Sequence, residues 1–319
     1  MRKTALIIGV SGQDGAYLAK FLLKKGYEVF GTSRDVLGTD FSNLKILDIY
    51  GKVELFSMLP DDFQSVLLAL KSCNPDEVYN LAGQSSVSLS FEQPIETIQS
   101  NTIGALNLLE ACRMLKKSPR LYFAGSSECF GNTNGAMACE KTVFQPQSPY
   151  GVSKASAYWI VDNYRNAYKL FACTGILFNH ESPLRPERFV TKKIIMAALR
   201  IANGSEEILE LGRLDISRDW GWAPEYIEAM WLMLQQNNPE DYVIATGETN
   251  TLENFVSETF SKLNLDWKKY VKQKKQFMRP TDIKESVGNA SKAFSKLGWE
   301  PKNKMKEVVS LMLETLNKE

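Results

Sequence analysis

Short β-rich apolar runs alternate with longer stretches of helical periodicity through the first half of the chain. Residues 4–8, 28–32, 53–57, 77–81, 121–124 and 171–177 read as strands. Between them, 15–25 and 102–115 carry helical patterns, and 154–168 predicts a long helix rich in aromatics. Strands separated by helices need crossover connections, so the pattern predicts a parallel sheet covered on both faces. Residues 241–246 predict one more strand. The Arg-, Lys- and Pro-rich stretches 183–218 and 268–280 break the alternation and read as excursions that build a second lobe. The expected fold class is α/β, a doubly wound parallel sheet with a smaller C-terminal substrate-binding lobe. Its boundaries are 1–178, with a return segment near 219–247, and mainly 179–319.

Composition narrows the function. A chain of 319 residues with 44% hydrophobic and 24% charged positions matches a soluble globular protein of more than usual single-domain size. Its 38 basic and 37 acidic residues nearly cancel, which leaves no footprint for nucleic acid or an anionic membrane. Phosphate binding must then come from a local cluster. Cys73, Cys112, Cys129, Cys139 and Cys173 are scattered, without a Cys-x-x-Cys pair, and His180 is the one histidine. No disulfide framework, metal centre or Ser-His-Asp triad is expected from these. The apolar run after Met1-Arg2-Lys3 stops at Gly9, too soon for a signal peptide, and no run reaches the ~20 apolar residues of a membrane span. A cytoplasmic location is expected.

Candidate chemistry begins at the first strand. Ala5-Leu6-Ile7-Ile8 runs into Gly9-Val10-Ser11-Gly12-Gln13-Asp14-Gly15 and then a helical pattern. Glycines allow unusual dihedrals and a close backbone approach to a pyrophosphate, which the helix start then receives. This strand–turn–helix unit predicts a Rossmann-type dinucleotide site. At the end of the next strand, Ser33 and Arg34 favour the 2′-phosphate of NADP, while Asp35 pulls toward NAD. Tyr150-x-x-x-Lys154 puts a phenol and an ammonium on one helix face, and the cation is expected to lower the phenol pKa. The spacing recurs at Tyr270 and Lys274 in a lysine-rich run without upstream support. Ser126, at the end of the 121–124 strand where open sheets hold ligands, selects the first copy.

The glycine turn, Ser126 and Tyr150–Lys154 together resemble the extended short-chain dehydrogenase/reductase family. Longer strings narrow this to the GDP-mannose 4,6-dehydratases: Asn80-Leu81-Ala82-Gly83-Gln84-Ser85, Ser127-Glu128, Ser148-Pro149-Tyr150, Asn179-His180-Glu181-Ser182-Pro183, Arg218-Asp219-Trp220-Gly221, Arg279-Pro280 and Leu297-Gly298-Trp299. The resemblance implies NADP as cofactor, a GDP-sugar as substrate and a homodimer or homotetramer. It implies catalytic roles for Ser126, Glu128, Tyr150 and Lys154. Gly9, Ser11, Gly12, Gln13, Asp14, Gly15, Arg34, Leu81, Ala82, Gln84, Ser85, His180 and Arg185 would join Tyr150 and Lys154 around the cofactor. Ser85, Glu128, Asn179, Val190, Lys193, Arg218 and Arg279 would meet the sugar nucleotide, whose diphosphate needs several cations.

In the implied reaction C4 is oxidised transiently, C5 is deprotonated, water leaves C6 and the hydride returns there. Glu128 argues for elimination, since simple epimerases and reductases need no carboxylate beside the serine. Decarboxylases of the superfamily carry Ser-Glu too, so a GDP-heptose dehydratase or another nucleotide-sugar epimerase, reductase or decarboxylase stays open. A cofactor-binding sensor is disfavoured by the retained Ser126, Glu128, Tyr150 and Lys154. The chain departs from the family pattern at Ser126 (usually threonine), Cys129-Phe130, Asp35, Met58 and Glu96. The last three lie around the adenosine end.

Overall fold

A computed structural model describes residues 2–317. Its strands are β1 (Thr4–Ile8), β2 (Glu28–Ser33), β3 (Glu54–Ser57), β4 (Glu77–Asn80), β5 (Arg120–Ser126), β6 (Ala172–Leu177), β7 (Asn179–Glu181), β8 (Leu209–Leu211), β9 (Ser217–Trp222), β10 (Tyr242–Ile244), β11 (Thr249–Thr251) and β12 (Val271–Gln273). Seven of them form one parallel sheet in the order β10-β6-β5-β4-β1-β2-β3. Every strand expected from the sequence is in it. The order reverses between β1 and β4, the switch point where open α/β sheets bind ligands beyond their carboxyl ends.

The side chains of β1 explain why it reads as an unbroken apolar run. Ala5 and Ile7 enter one core, Leu6 and Ile8 the other, and all four are buried. Helices Gln13–Lys24 and Ala223–Gln235 cover the first face, Phe63–Cys73, Gly104–Arg113 and Pro149–Tyr168 the second. A third core lies apart from the large sheet. Helices Val190–Ala202, Leu252–Lys262 and Met305–Leu316 close there around Leu209, Leu211, Trp220 and Val271. Strand β9 pairs with β7 in parallel and with β11 antiparallel, while β8 pairs with β12. These short pairs set the third core against the carboxyl ends of the large sheet. No helix among the described residues is long and apolar enough to cross a membrane.

Candidate active site

A cleft of about 820 Å³ runs from the carboxyl ends of β1 and β2 to the 277–282 segment. At its floor Gly9 turns at φ 88° into helix Gln13–Lys24. A Cβ on Gly15 would stand 2.3 Å from the Gly9 carbonyl oxygen, so glycine is what lets the helix start lie against the turn. Among the described residues no side chain caps this helix at Gly12, and its first N–H groups remain for an anion. Gly9, Ser11, Gly12, Gln13, Asp14 and Gly15 all line the cleft. That arrangement fits a dinucleotide pyrophosphate.

His180 and Arg185 come to the same place although far away in sequence. His180 Nε2 lies 2.9 Å from Asp14 Oδ2, and Gln13 Nε2 donates to the His180 carbonyl at 3.2 Å. The Ser182 hydroxyl donates to Gln13 Oε1 at 2.8 Å. Arg185 stacks over Phe189, 3.8 Å from the ring centre, beside Glu181. At the other rim, Arg34 Nη1 is 3.4 Å from Glu96 Oε1. Leu81, Ala82 and Ser85 line the cleft between these ends.

Gln84, expected beside the cofactor, is not among the residues that line the cleft. Its amide donates to the Ser86 carbonyl at 2.8 Å and to Thr97 Oγ1 at 3.1 Å, holding the loop to the next helix instead of facing the cleft. Asp35 also stays out of the cleft lining, because its carboxylate accepts the Leu37 N–H at 2.9 Å and closes its own turn. Met58 is buried against the sheet, yet borders the cleft beside Leu59 and Pro60.

The catalytic candidates sit where β5 ends. Ser126 accepts the Glu128 N–H at 3.3 Å and shapes the single turn that carries Glu128. Helix Pro149–Tyr168 starts one turn earlier than its pattern predicts, because the Ser148 hydroxyl accepts the Gly151 N–H at 3.0 Å and Pro149 fits the first helical position. Tyr150 and Lys154 therefore occupy adjacent turns of one helix. Tyr270 and Lys274 instead flank strand β12, which gives them no shared helix face.

Burial pushes the Tyr150 phenol up, and its hydrogen bond with Ser126 only partly opposes this. The expected lowering by Lys154 is absent, since burial also brings the Lys154 ammonium down to about 8 and its Nζ donates to the Ala124 carbonyl at 2.9 Å. Burial likewise raises the Glu128 carboxyl, against the pull of Arg218 and Arg279. A base with raised affinity for protons suits removal of a carbon-bound proton.

Across the cleft, Asn179 in β7 pairs with Trp220 in β9, beside Arg218. Val190 opens helix Val190–Ala202, and Lys193 on that helix donates to the Glu210 carbonyl at 2.7 Å while lying 4.6 Å from the Phe277 ring centre. Arg279 completes the cationic wall. Asp282 escaped the sequence reading. It ion-pairs with Arg218 at 2.8 Å and Arg279 at 3.4 Å, and its place three residues after Arg279 was the one available signal.

The sequence model of the family described as GDP-mannose 4,6 dehydratase matches residues 6–312. The chain belongs to that family. Among its members, GDP-mannose 4,6 dehydratase 1 of Arabidopsis thaliana is 46% identical over 325 residues, 98% of this chain and 89% of the relative. The Vibrio cholerae GDP-mannose 4,6-dehydratase is 41% identical over 349 residues, 98% and 93% of the two chains. Among solved structures, the Thermus thermophilus UDP-glucose 4-epimerase in complex with NAD superposes with a TM-score of 0.85 at 26% identity, covering 98% of each chain. RMD from Pseudomonas aeruginosa complexed with NADPH shares the fold at a TM-score of 0.80 and 20% identity, covering 100% of this chain and 98% of that one.

Proposed function

We propose that this chain is a nicotinamide-dependent hydro-lyase that converts GDP-mannose to GDP-4-dehydro-6-deoxy-mannose, with NADP as its cofactor. The observation that carries this reading is Glu128, held by Ser126 in a cleft that also gathers Tyr150, Lys154, Arg218 and Arg279. Gly9 to Gly15, Arg34, Leu81, Ala82, Ser85, His180 and Arg185 would hold the cofactor. Asn179, Val190, Lys193, Arg218 and Arg279 would meet the sugar nucleotide, with several cations for its diphosphate. In this reading residues 1–178 and the return segment near 219–247 serve the cofactor, and 179–319 mainly the substrate.

The chemistry a bound nicotinamide supplies is hydride storage, out from C4 at the start and back to C6 at the end. Tyr150 receives the O4 proton as the C4 carbonyl forms. For this Tyr150 must start as the phenolate, which the positive charge of Lys154 would support until the proton arrives, and Ser126 orients the sugar hydroxyl. The new carbonyl makes the C5 hydrogen acidic, and Glu128 removes it. The same proton on Glu128 leaves with the C6 hydroxyl as water. Once C6 is reduced, the proton held by Tyr150 returns to C5, so the cycle is redox-neutral and every proton is accounted for.

The family relationship and Arg34 support a GDP-sugar and NADP respectively. Apolar side chains exposed on neighbouring helices, Ile95, Ile98, Val152 and Trp159, support a homo-oligomer. Five unpaired cysteines fit a cytoplasmic location. Incubation with GDP-mannose in the presence of NADP, with detection of a 4-keto-6-deoxy product by mass spectrometry, tests the proposal. Turnover of UDP- or dTDP-sugars, or of a GDP-heptose, in place of GDP-mannose would overturn the substrate assignment.

A further inference from the structure

Asp282 closes a charge bridge in the wall of the cleft. Its Oδ1 accepts from Arg218 Nη2 at 2.8 Å and lies 3.4 Å from Arg279 Nη1, in a site where Arg218 and Asp282 are both almost fully buried. Arg218 is fixed from behind as well, its Nη1 donating to the carbonyls of Ser217 at 2.9 Å and Ile283 at 2.7 Å. Arg279 Nε donates to the Ser88 hydroxyl at 3.1 Å. Two guanidinium groups from separate segments thus share one carboxylate.

Glu128 lines the same cleft. The charged and titratable groups that face it are Arg218 from β9, Arg279 and Asp282 from the 277–282 segment, Tyr150 from helix Pro149–Tyr168 and Cys129 on its own turn. Each cation near a carboxylate stabilises the ionised form and weakens it as a base. Two arginines without a counter-charge would therefore work against proton removal from carbon. Burial raises the Glu128 carboxyl, Arg218 and then Arg279 oppose that, and Asp282 restores part of it.

We propose that Asp282 is a positioning residue for the elimination: bridging Arg218 and Arg279, it offsets their charge beside Glu128 so that this carboxylate can take a proton from carbon. The inference rests on the reading of Glu128 as the base. It assigns Asp282 no contact with the reacting carbons. Loss of its carboxylate leaves both guanidinium groups available to a diphosphate, so substrate affinity does not suffer, whereas proton removal does.

The test is kcat and KM for GDP-mannose against pH, measured on the cofactor-loaded enzyme and on Asp282→Asn, Arg279→Gln and Glu128→Gln. In Asp282→Asn the acidic limb of kcat moves to lower pH, kcat near neutrality falls severalfold and KM does not rise. In Arg279→Gln, where a cation is removed instead, the acidic limb moves to higher pH. That variant leaves the Asp282 carboxylate in place, so an unmoved limb in it removes the premise that these cations reach Glu128, even if Asp282→Asn does not fold. A wild-type limb in either folded variant, or a rise in KM with the limb unmoved, overturns the inference and leaves Asp282 a structural residue. If Glu128→Gln still dehydrates the substrate, the reading of the base falls first. If Glu128→Gln is inactive while the other two profiles stay put, this inference alone falls.

Discussion

His180 and Asp14 pair at 2.9 Å across the cleft floor, tying β7 to the first turn of helix Gln13–Lys24. Burial alone would raise the Asp14 carboxyl, but the charge and hydrogen bond of His180 outweigh it and hold the group at about 2. Burial likewise works against the imidazolium, and Asp14 wins, so the His180 pKa lies above its ordinary 6.5. A depressed acid stabilises the fold above its unfolded pKa, near 3.8, and loses that as pH falls through about 2. A raised histidine contributes fully below 6.5 and loses that as pH rises through its folded pKa. The pair is therefore strongest between about pH 4 and 6.5. His180→Gln is expected to cost on the order of 2 kcal/mol at pH 5 to 6, and urea midpoints should converge with wild type as pH rises above that window.

Gly151 sets the distance between the Tyr150 helix and the Glu128 turn. A Cβ there would stand 2.8 Å from the Glu128 carbonyl oxygen and 3.1 Å from Pro146 Cβ. Alanine is favoured over glycine inside a helix by up to about 1 kcal/mol. Overlap with backbone, which cannot rotate away, costs about 1–3 kcal/mol. Gly151→Ala is thus expected to be less stable by chemical denaturation. Its turnover should fall more than its cofactor affinity, because the displaced atoms carry Glu128 and Tyr150.

Asp219 explains why Arg218 is presented so rigidly. Its Oδ1 accepts the Thr246 N–H at 2.9 Å and the Thr246 hydroxyl at 2.7 Å, and its Oδ2 accepts the Gly247 N–H at 2.9 Å and the Gly288 N–H at 3.3 Å. One buried carboxylate thereby clips β9 to the segments that follow β10 and precede helix Ser291–Leu297. Asp219→Asn keeps one oxygen but turns an NH₂ toward backbone donors. Two buried N–H groups would lose their acceptor, at roughly 1–3 kcal/mol each. The variant is expected to melt well below wild type, and Asp219→Ala to do no better.

How much of this was legible beforehand depends on how local each cause is. The seven strands of the large sheet stand out because β1 and its neighbours bury both faces, which writes continuous apolar runs into the sequence. The glycine turn is equally local. The start of helix Pro149–Tyr168 was hidden, because periodicity begins at Lys154 whereas Ser148 and Pro149 act through capping. Strands β7, β8, β11 and β12 have three residues each, too few for any period. Asp282 was out of reach for another reason: its meaning comes from Arg218, which only the fold brings near. The direction of the Gln84 side chain was out of reach as well, since Thr97, a partner it meets only in the folded loop, sets it.

Arg34 and Glu96 carry the last prediction. Their ion pair, at 3.4 Å, lies at the rim of the cleft, with the Arg34 side chain 71% and the Glu96 side chain 40% exposed. Pairs this exposed contribute about 0–1 kcal/mol, so Glu96 cannot keep the guanidinium from a doubly charged phosphate. It still sets a negative charge where a 2′-phosphate would bind, and that charge weakens NADPH without touching NADH, whose ribose carries only hydroxyls. Glu96→Gln is therefore expected to tighten NADPH severalfold and leave NADH unchanged, and Arg34→Ala to weaken NADPH about tenfold or more with little effect on NADH. Fluorescence titration of both reduced cofactors reads this directly, without any sugar nucleotide present. Equal responses of the two cofactors to both substitutions would mean that the phosphate binds elsewhere, and the assignment of NADP through Arg34 would have to be withdrawn.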